Sequence, residues 1–188
     1  MSKMVEQGAV LRNAFNKETF IFSGPVDDPL AARFEVVLER GGSGGGNALV
    51  HVHPGADEHF TVKSGCIKVM VDGQEHIAGP GDCVVVPRGR PHHFVNAGEG
   101  NAEFTVEFRP AQQHLRFFAN FASIAEYQPG WFSPAGDPNF LLVALTFDTY
   151  RDHIYLARIP PFLQKALFAI LAPIARLRGY RVEIGPKP

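Results

Sequence analysis

Three histidines and a glutamate, His51, His53, Glu58 and His92, stand in two short stretches of the 188-residue chain at spacings that suit one metal ion. His51 and His53 alternate with Val52, and because successive strand side chains point to opposite faces, both imidazoles emerge on the same side. Pro54-Gly55-Ala56-Asp57 reads as a turn, after which a second strand begins near Glu58. An antiparallel return would bring Glu58 beside the two histidines, with the adjacent Asp57 as its rival. Pro87-Arg88-Gly89-Arg90-Pro91 is another turn, and His92 opens a strand to Asn96 in which its imidazole could supply a fourth ligand. Imidazole and carboxylate together suit first-row divalent metals, and a larger coordination shell leaves positions for water, oxygen or substrate. His59, His76, His93, His114 and His153 read as ordinary hydrogen-bonded residues. His59 and His93 each follow a candidate ligand directly, so strand parity turns them away from it.

The elements that must position these groups are short. Apolar and β-branched runs predict strands near 18–22, 34–39, 48–53, 58–63, 66–71, 74–77, 83–86, 92–96 and 103–109, separated by turn signals at regular intervals as in an all-β sandwich or barrel. Asp72-Gly73 is the clearest hairpin turn, since glycine accepts a positive φ and aspartate tolerates one. The run from Gly41 to Gly46 reads either as a lip beside the barrel mouth or as slack linker. After Pro110 the period changes. Leu115, Phe118, Phe121 and Ile124 mark one face of a helix, Asn139 can cap a second, and Pro160-Pro161 would start a third at Phe162. In that third helix Leu163, Leu167, Ile170, Ile174 and Leu177 share the face expected to pack, with Pro173 kinking or splitting it.

Charge and composition narrow the function classes. The formal net charge is −1, which argues against a nucleic-acid binder, and 45% hydrophobic residues can supply a core. The charge is uneven: residues 151–188 hold seven Lys or Arg against two acids. The third helix, followed by Arg176, Arg178 and Arg181, therefore reads either as a packing element or as a peripheral contact to a membrane or a partner. The N-terminus has no apolar run suited to a secretory signal, so a cytoplasmic protein is expected. Cys66 and Cys83 are expected to be buried free thiols.

The two stretches resemble the cupin motifs. Gly45, His51, His53, Glu58 and Gly65 match every position of the first, and Gly81, Pro87, Gly89, His92 and Asn96 every position of the second. The resemblance covers roughly residues 18–110. It implies an all-β jelly-roll barrel in residues 1–110 carrying an appended α-helical segment in 111–188, with metal-ligand roles for His51, His53, Glu58 and His92. It also favours Glu58 over Asp57. It implies one divalent transition metal ion, iron or manganese before nickel, zinc or copper, and a homodimer. The tail is similar to the Leu-rich, Gly-Tyr-Arg ends of bacterial single-cupin proteins.

Phe60, Val62, Phe94 and Asn96 share parity with Glu58 or His92 and read either as pocket lining or as barrel core. As lining they would suit a small apolar or aromatic ligand. No dedicated general base stands out, because the strand neighbours of Glu107, Val106 and Phe108, look like its inward face. Three functions are consistent with this pattern: a metal-dependent oxidoreductase of the dioxygenase type, a metal-dependent isomerase, lyase or hydrolase, and a non-catalytic small-molecule-binding or sensing module.

Overall fold

The computed structural model describes residues 5–43 and 49–183. Gly45, which opens the first motif, lies outside the described residues, as does the second half of the Gly-rich run read as lip or linker. The part that is described, Gly41 to Ser43, is tied down: the Ser43 amide donates to Asn16 O at 2.6 Å and the Gly42 amide to Glu39 O at 2.8 Å.

Strands β1 (Val10–Asn13), β2 (Glu18–Ile21), β3 (Ala32–Leu38), β5 (Asp57–Ser64), β8 (Cys83–Val86) and β10 (Ala102–Arg109) form one sheet in the order β1-β2-β3-β10-β5-β8. The second sheet runs β11-β4-β9-β6-β7, built from β4 (His51–Val52), β6 (Ile67–Val71), β7 (Gln74–Ala78), β9 (His92–Asn96) and β11 (Tyr155–Leu156). The recorded pairings are antiparallel, as expected of a jelly-roll barrel. Alternation along the strands turns one set of side chains inward. Phe60 and Val62 of β5, Phe94 of β9 and Phe104, Val106 and Phe108 of β10 belong to one apolar core. The rings of Phe60, Phe94 and Phe104 pack with centroids 5.2 to 6.1 Å apart.

Asp72 and Gly73 close the β6–β7 hairpin with φ of 52° and 79°, the mirror-image turn whose twist matches the flanking strands. Gly65 ends the first motif for a steric reason as well. Its φ is +76°, and a Cβ there would stand 2.4 Å from Asn101 O.

Three features of the strands and their residues differ from the sequence reading. Strands β1 and β11 were not anticipated: each is short and lies at a sheet edge, and the two residues of β11 become a strand only by pairing with β4. Nor do β4 and β5 form a hairpin. They lie in opposite sheets, so Glu58 meets the histidines across the barrel interior. Cys66 is half-buried and Cys83 is exposed, because alternate residues of edge strand β8 face outward.

The segment after residue 110 is built into the barrel. Leu115, Ala119 and Ala122 of α1 (His114–Tyr127) join the barrel core, and Glu126 accepts a 2.8 Å hydrogen bond from the Arg12 amide of β1. Helix α2 (Phe140–Thr149) starts as expected, with Asn139 Oδ1 accepting from the Leu141 amide at 2.9 Å. Helix α3 (Pro161–Leu177) runs continuously through Pro173. It packs on α2 through a face the sequence did not single out, Phe168, Ala172 and Ala175, while buried Gln164 bonds both polar groups of Leu156. The expected stripe points outward: Leu163, Leu167, Ile170, Ile174 and Leu177 are all exposed. Small residues and one phenylalanine let two helices approach, so the packing face carries less hydrophobicity than the face it leaves in solvent. Among the described residues, no helix is long and apolar enough to cross a membrane.

This orientation is testable in urea denaturation. Phe168→Ala should cost about 3–5 kcal/mol, the usual penalty for emptying a buried aromatic site, whereas Leu167→Ala should cost under about 1 kcal/mol.

Candidate metal centre

The ligand set converges through strand register. His51 of β4 sits directly opposite His92 of β9, with ring centroids 4.4 Å apart. His53 follows two residues later on the same face, and Glu58 projects from β5 across the interior. One ligand atom from each of His51, His53, Glu58 and His92 can be chosen so that all lie within 4.8 Å of one another. Two opposed ligands on one small divalent ion stand about 4.2 Å apart, so the cluster needs little closing to hold one. The two motif turns brace each other. The Gly89 amide donates to His53 O at 2.9 Å, and Asp57 holds Arg88 through its amide at 2.8 Å and its guanidinium at 2.9 Å. Asp57, the sequence rival of Glu58, is thereby engaged outside the cluster, and Arg88 beside it holds its carboxyl below the usual range.

Backbone carbonyls orient the rings. Nδ1 of His51 donates to Leu49 O at 2.9 Å, and Nδ1 of His53 to His153 O at 3.1 Å, which leaves each Nε2 as the free ligand atom. His53 Nε2 is buried without a hydrogen-bond partner. An orphaned buried acceptor is costly unless something occupies its lone pair, and a metal ion at the centre of this cluster would do so. The residues present therefore fit a metal. His53 also packs edge-on against the rings of Phe108 and His114, with centroids at 4.8 and 4.7 Å. His114 stacks on Phe108 at 4.2 Å, and its Nε2 lies 3.1 Å from His53 Nδ1.

Burial, with the neighbouring histidines adding to it, pushes His51 down to about 3 and His53 well below the ordinary 6.5, so both rings are neutral. His92 goes the other way. Burial disfavours its charge, but the 2.7 Å hydrogen bond and the charge of Glu58 outweigh that. With Arg90 O accepting at Nδ1 and Glu58 at Nε2, the ring carries two protons, one of which a metal ion would displace.

A cavity of about 380 Å³ adjoins the cluster, with His51 in its wall together with Glu18, Phe94, Phe118, Phe121 and Leu142. Of the four residues proposed to line a pocket, Phe94 does so. Phe60 and Val62 lie inside the packed core, and the Asn96 side chain is occupied by Leu38 O, Gly100 O and the Gly98 amide, each at 2.8 Å. None of these three lines the cavity, whose walls come from the barrel and from the helices after it. His93, which is not part of the ligand cluster, also lines the cavity. Glu107 is held by Arg33 and Arg109, and burial, which would raise its pKa, is outweighed by them, so it is an ion-paired carboxylate.

The sequence reading missed Glu18, His114 and the carbonyl of His153. The latter two lie in the C-terminal segment, and no local pattern marks a residue that acts on a partner sixty or a hundred positions away.

Removing a ligand should weaken metal binding more than removing a group behind it. His92→Ala should lower manganese affinity by more than about 100-fold, His114→Ala by about 10–100-fold and His93→Ala by less than about threefold, read by calorimetric titration. Acid stability gives a second check. Burial holds His114 at about 4. Between its unfolded value of 6.5 and this folded value the unfolded chain binds more protons, so stability falls as pH falls. Each such histidine contributes at most about 1.4 kcal/mol per pH unit, and His114→Gln should make the fall in urea-derived stability shallower by up to that amount.

Residues 34–108 match the family model described as Cupin domain. No protein of curated function matches the chain. Among solved structures, it is similar to the Streptomyces nucleoside dehydratase Pac13, at 22% identity over 57% of this chain and 79% of that one, TM-score 0.45. It is also similar to a cupin-superfamily sugar phosphate isomerase from Silicibacter pomeroyi, at 28% identity over 55% and 69%, TM-score 0.43. An RmlC-like cupin from Shewanella frigidimarina is 20% identical over 57% and 87%, TM-score 0.46. With the described positions of both motifs in place on a two-sheet barrel and the family model spanning its central strands, the chain carries a cupin domain over residues 34–108, followed by a helical C-terminal segment.

Proposed function

We propose that this protein is a metal-dependent oxidoreductase of the dioxygenase type acting on a small, largely apolar or aromatic substrate. The observation that carries the proposal is the opening of a three-histidine, one-carboxylate cluster onto an apolar cavity of about 380 Å³ through His51. Such a volume suits a single-ring molecule, and aromatic walls with few polar groups are typical of small-molecule sites. His51, His53, Glu58 and His92 would hold iron or manganese, whose remaining coordination positions supply a place for oxygen and substrate. Phe94, Phe118 and Phe121 limit water at the reacting end, and the Leu49, His153 and Arg90 carbonyls keep the imidazole rings aimed at the centre.

Oxygen uptake tests this with iron- and manganese-loaded protein and a panel of catechols and related single-ring compounds. Uptake is expected in the wild type, none in His92→Ala, and none with zinc, which has no redox chemistry. Turnover by the zinc form would replace this reading with Lewis-acid chemistry. If no metal raises the melting temperature, the metal reading itself fails, because a ligand that binds only the folded state must stabilise it.

A further inference from the structure

Glu18 is the one acidic side chain that is both almost fully buried and part of the cavity wall among the described residues: it is 3% exposed, and Asp137, the other acid there, is open to solvent. Among the described residues its hydrogen bonds are few. Asn16 Nδ2 reaches it at 3.4 Å, at the long limit, and Ser43 supplies a second contact. Asn13, opposite it in the β1–β2 register, is 1% exposed and has no partner for its Nδ2. No described cation pairs with Glu18. The head of Lys17 is on Arg40 O, and that of Arg12 is on Glu39. A carboxyl that only braced a turn would be matched by donors at short range, since a half-satisfied buried polar group costs stability.

We propose that Glu18 is the specificity-determining group of the cavity, its protonated carboxyl donating a hydrogen bond to a neutral acceptor on the ligand. The ligand class follows: a single aromatic ring with metal-binding oxygens at one end and a carbonyl, carboxamide or ring nitrogen at the other. This rests on the metal-site reading above and adds the far end of the ligand to it. Burial raises the Glu18 carboxyl to about 7, with Ser43 and Asn16 opposing, so it retains its proton in mildly acidic solution and loses it in alkaline solution. The other titratable groups around the cavity are His51, His93 and Asp137. Burial pushes His51 down to about 3 and also lowers His93, which favours the neutral ring at each.

The test uses full-length, manganese-loaded protein under nitrogen, with 4-acetylcatechol and 4-ethylcatechol as probes, titrated calorimetrically into wild type, Glu18→Gln and Glu18→Leu. Each variant sees the same pair, so the intrinsic difference in catechol acidity cancels. At about pH 6 the wild type should favour the acetyl compound by about tenfold more than Glu18→Leu does, the value of one good hydrogen bond. At about pH 8.5, above the carboxyl's transition, the wild-type preference should collapse, while the amide of Glu18→Gln should keep its own at both pH values. Equal preference in wild type and Glu18→Leu, with both probes bound, overturns the role of Glu18 and leaves the metal site intact. Failure of either catechol to bind the manganese-loaded wild type overturns the reading of the site and this inference with it. A carboxyl carbon NMR titration of the wild type needs no variant: a Glu18 transition near the ordinary glutamate value of about 4.3 also overturns the proposal.

Discussion

The pairing of His51 with His92 across β4 and β9 is the contact on which the rest of the site depends. Side chains on a strand alternate, so a slip of β9 by one residue would replace His92 with His93 and withdraw the ring that bonds Glu58. β4 is only two residues long and cannot hold that register alone. It is held from outside: the Gly89 amide bonds His53 O, and Arg88 clasps Asp57. The second motif's turn is thus fastened to the first motif's turn. This explains why proline and glycine stand there: one limits the approach angle, and the other accepts the φ of +80° that aims its amide back.

The site itself is electrostatically lopsided. Three imidazoles crowd one carboxylate, and burial drives His51 and His53 toward the neutral form, whereas the hydrogen bond and charge of Glu58 raise His92. A cluster prepared in this way presents lone pairs to a cation. The orphaned Nε2 of His53 shows that hydrogen bonding within the protein does not satisfy the arrangement.

The C-terminal segment is part of this construction. The His153 carbonyl fixes the ring of His53, His114 at the start of α1 packs behind it, and β11 extends the sheet beyond β4. The cavity lies between barrel and helices, with walls from both. The core likewise continues from Phe34 and Phe108 through Phe118 into α1, with ring centroids 5.0 and 5.6 Å apart. Helix α3 anchors the far end through Phe168 and Gln164.

The ligand candidates, the strand succession between residues 18 and 109, the Asp72-Gly73 turn and the Asn139 cap were legible in the sequence because each depends on neighbours a few positions away. Alternation places His51 beside His53, and a positive φ selects glycine, without reference to distant chain. What depends on remote contacts was not legible. Glu58 meets the histidines from the opposite sheet, Phe94 faces the cavity while Phe60 and Val62 fill the core, and α3 packs by its smaller residues while its leucines face out. Only the tertiary structure decided these, because which of two apolar faces is buried depends on the shape of the surface that arrives to meet it, and that surface comes from elsewhere in the chain.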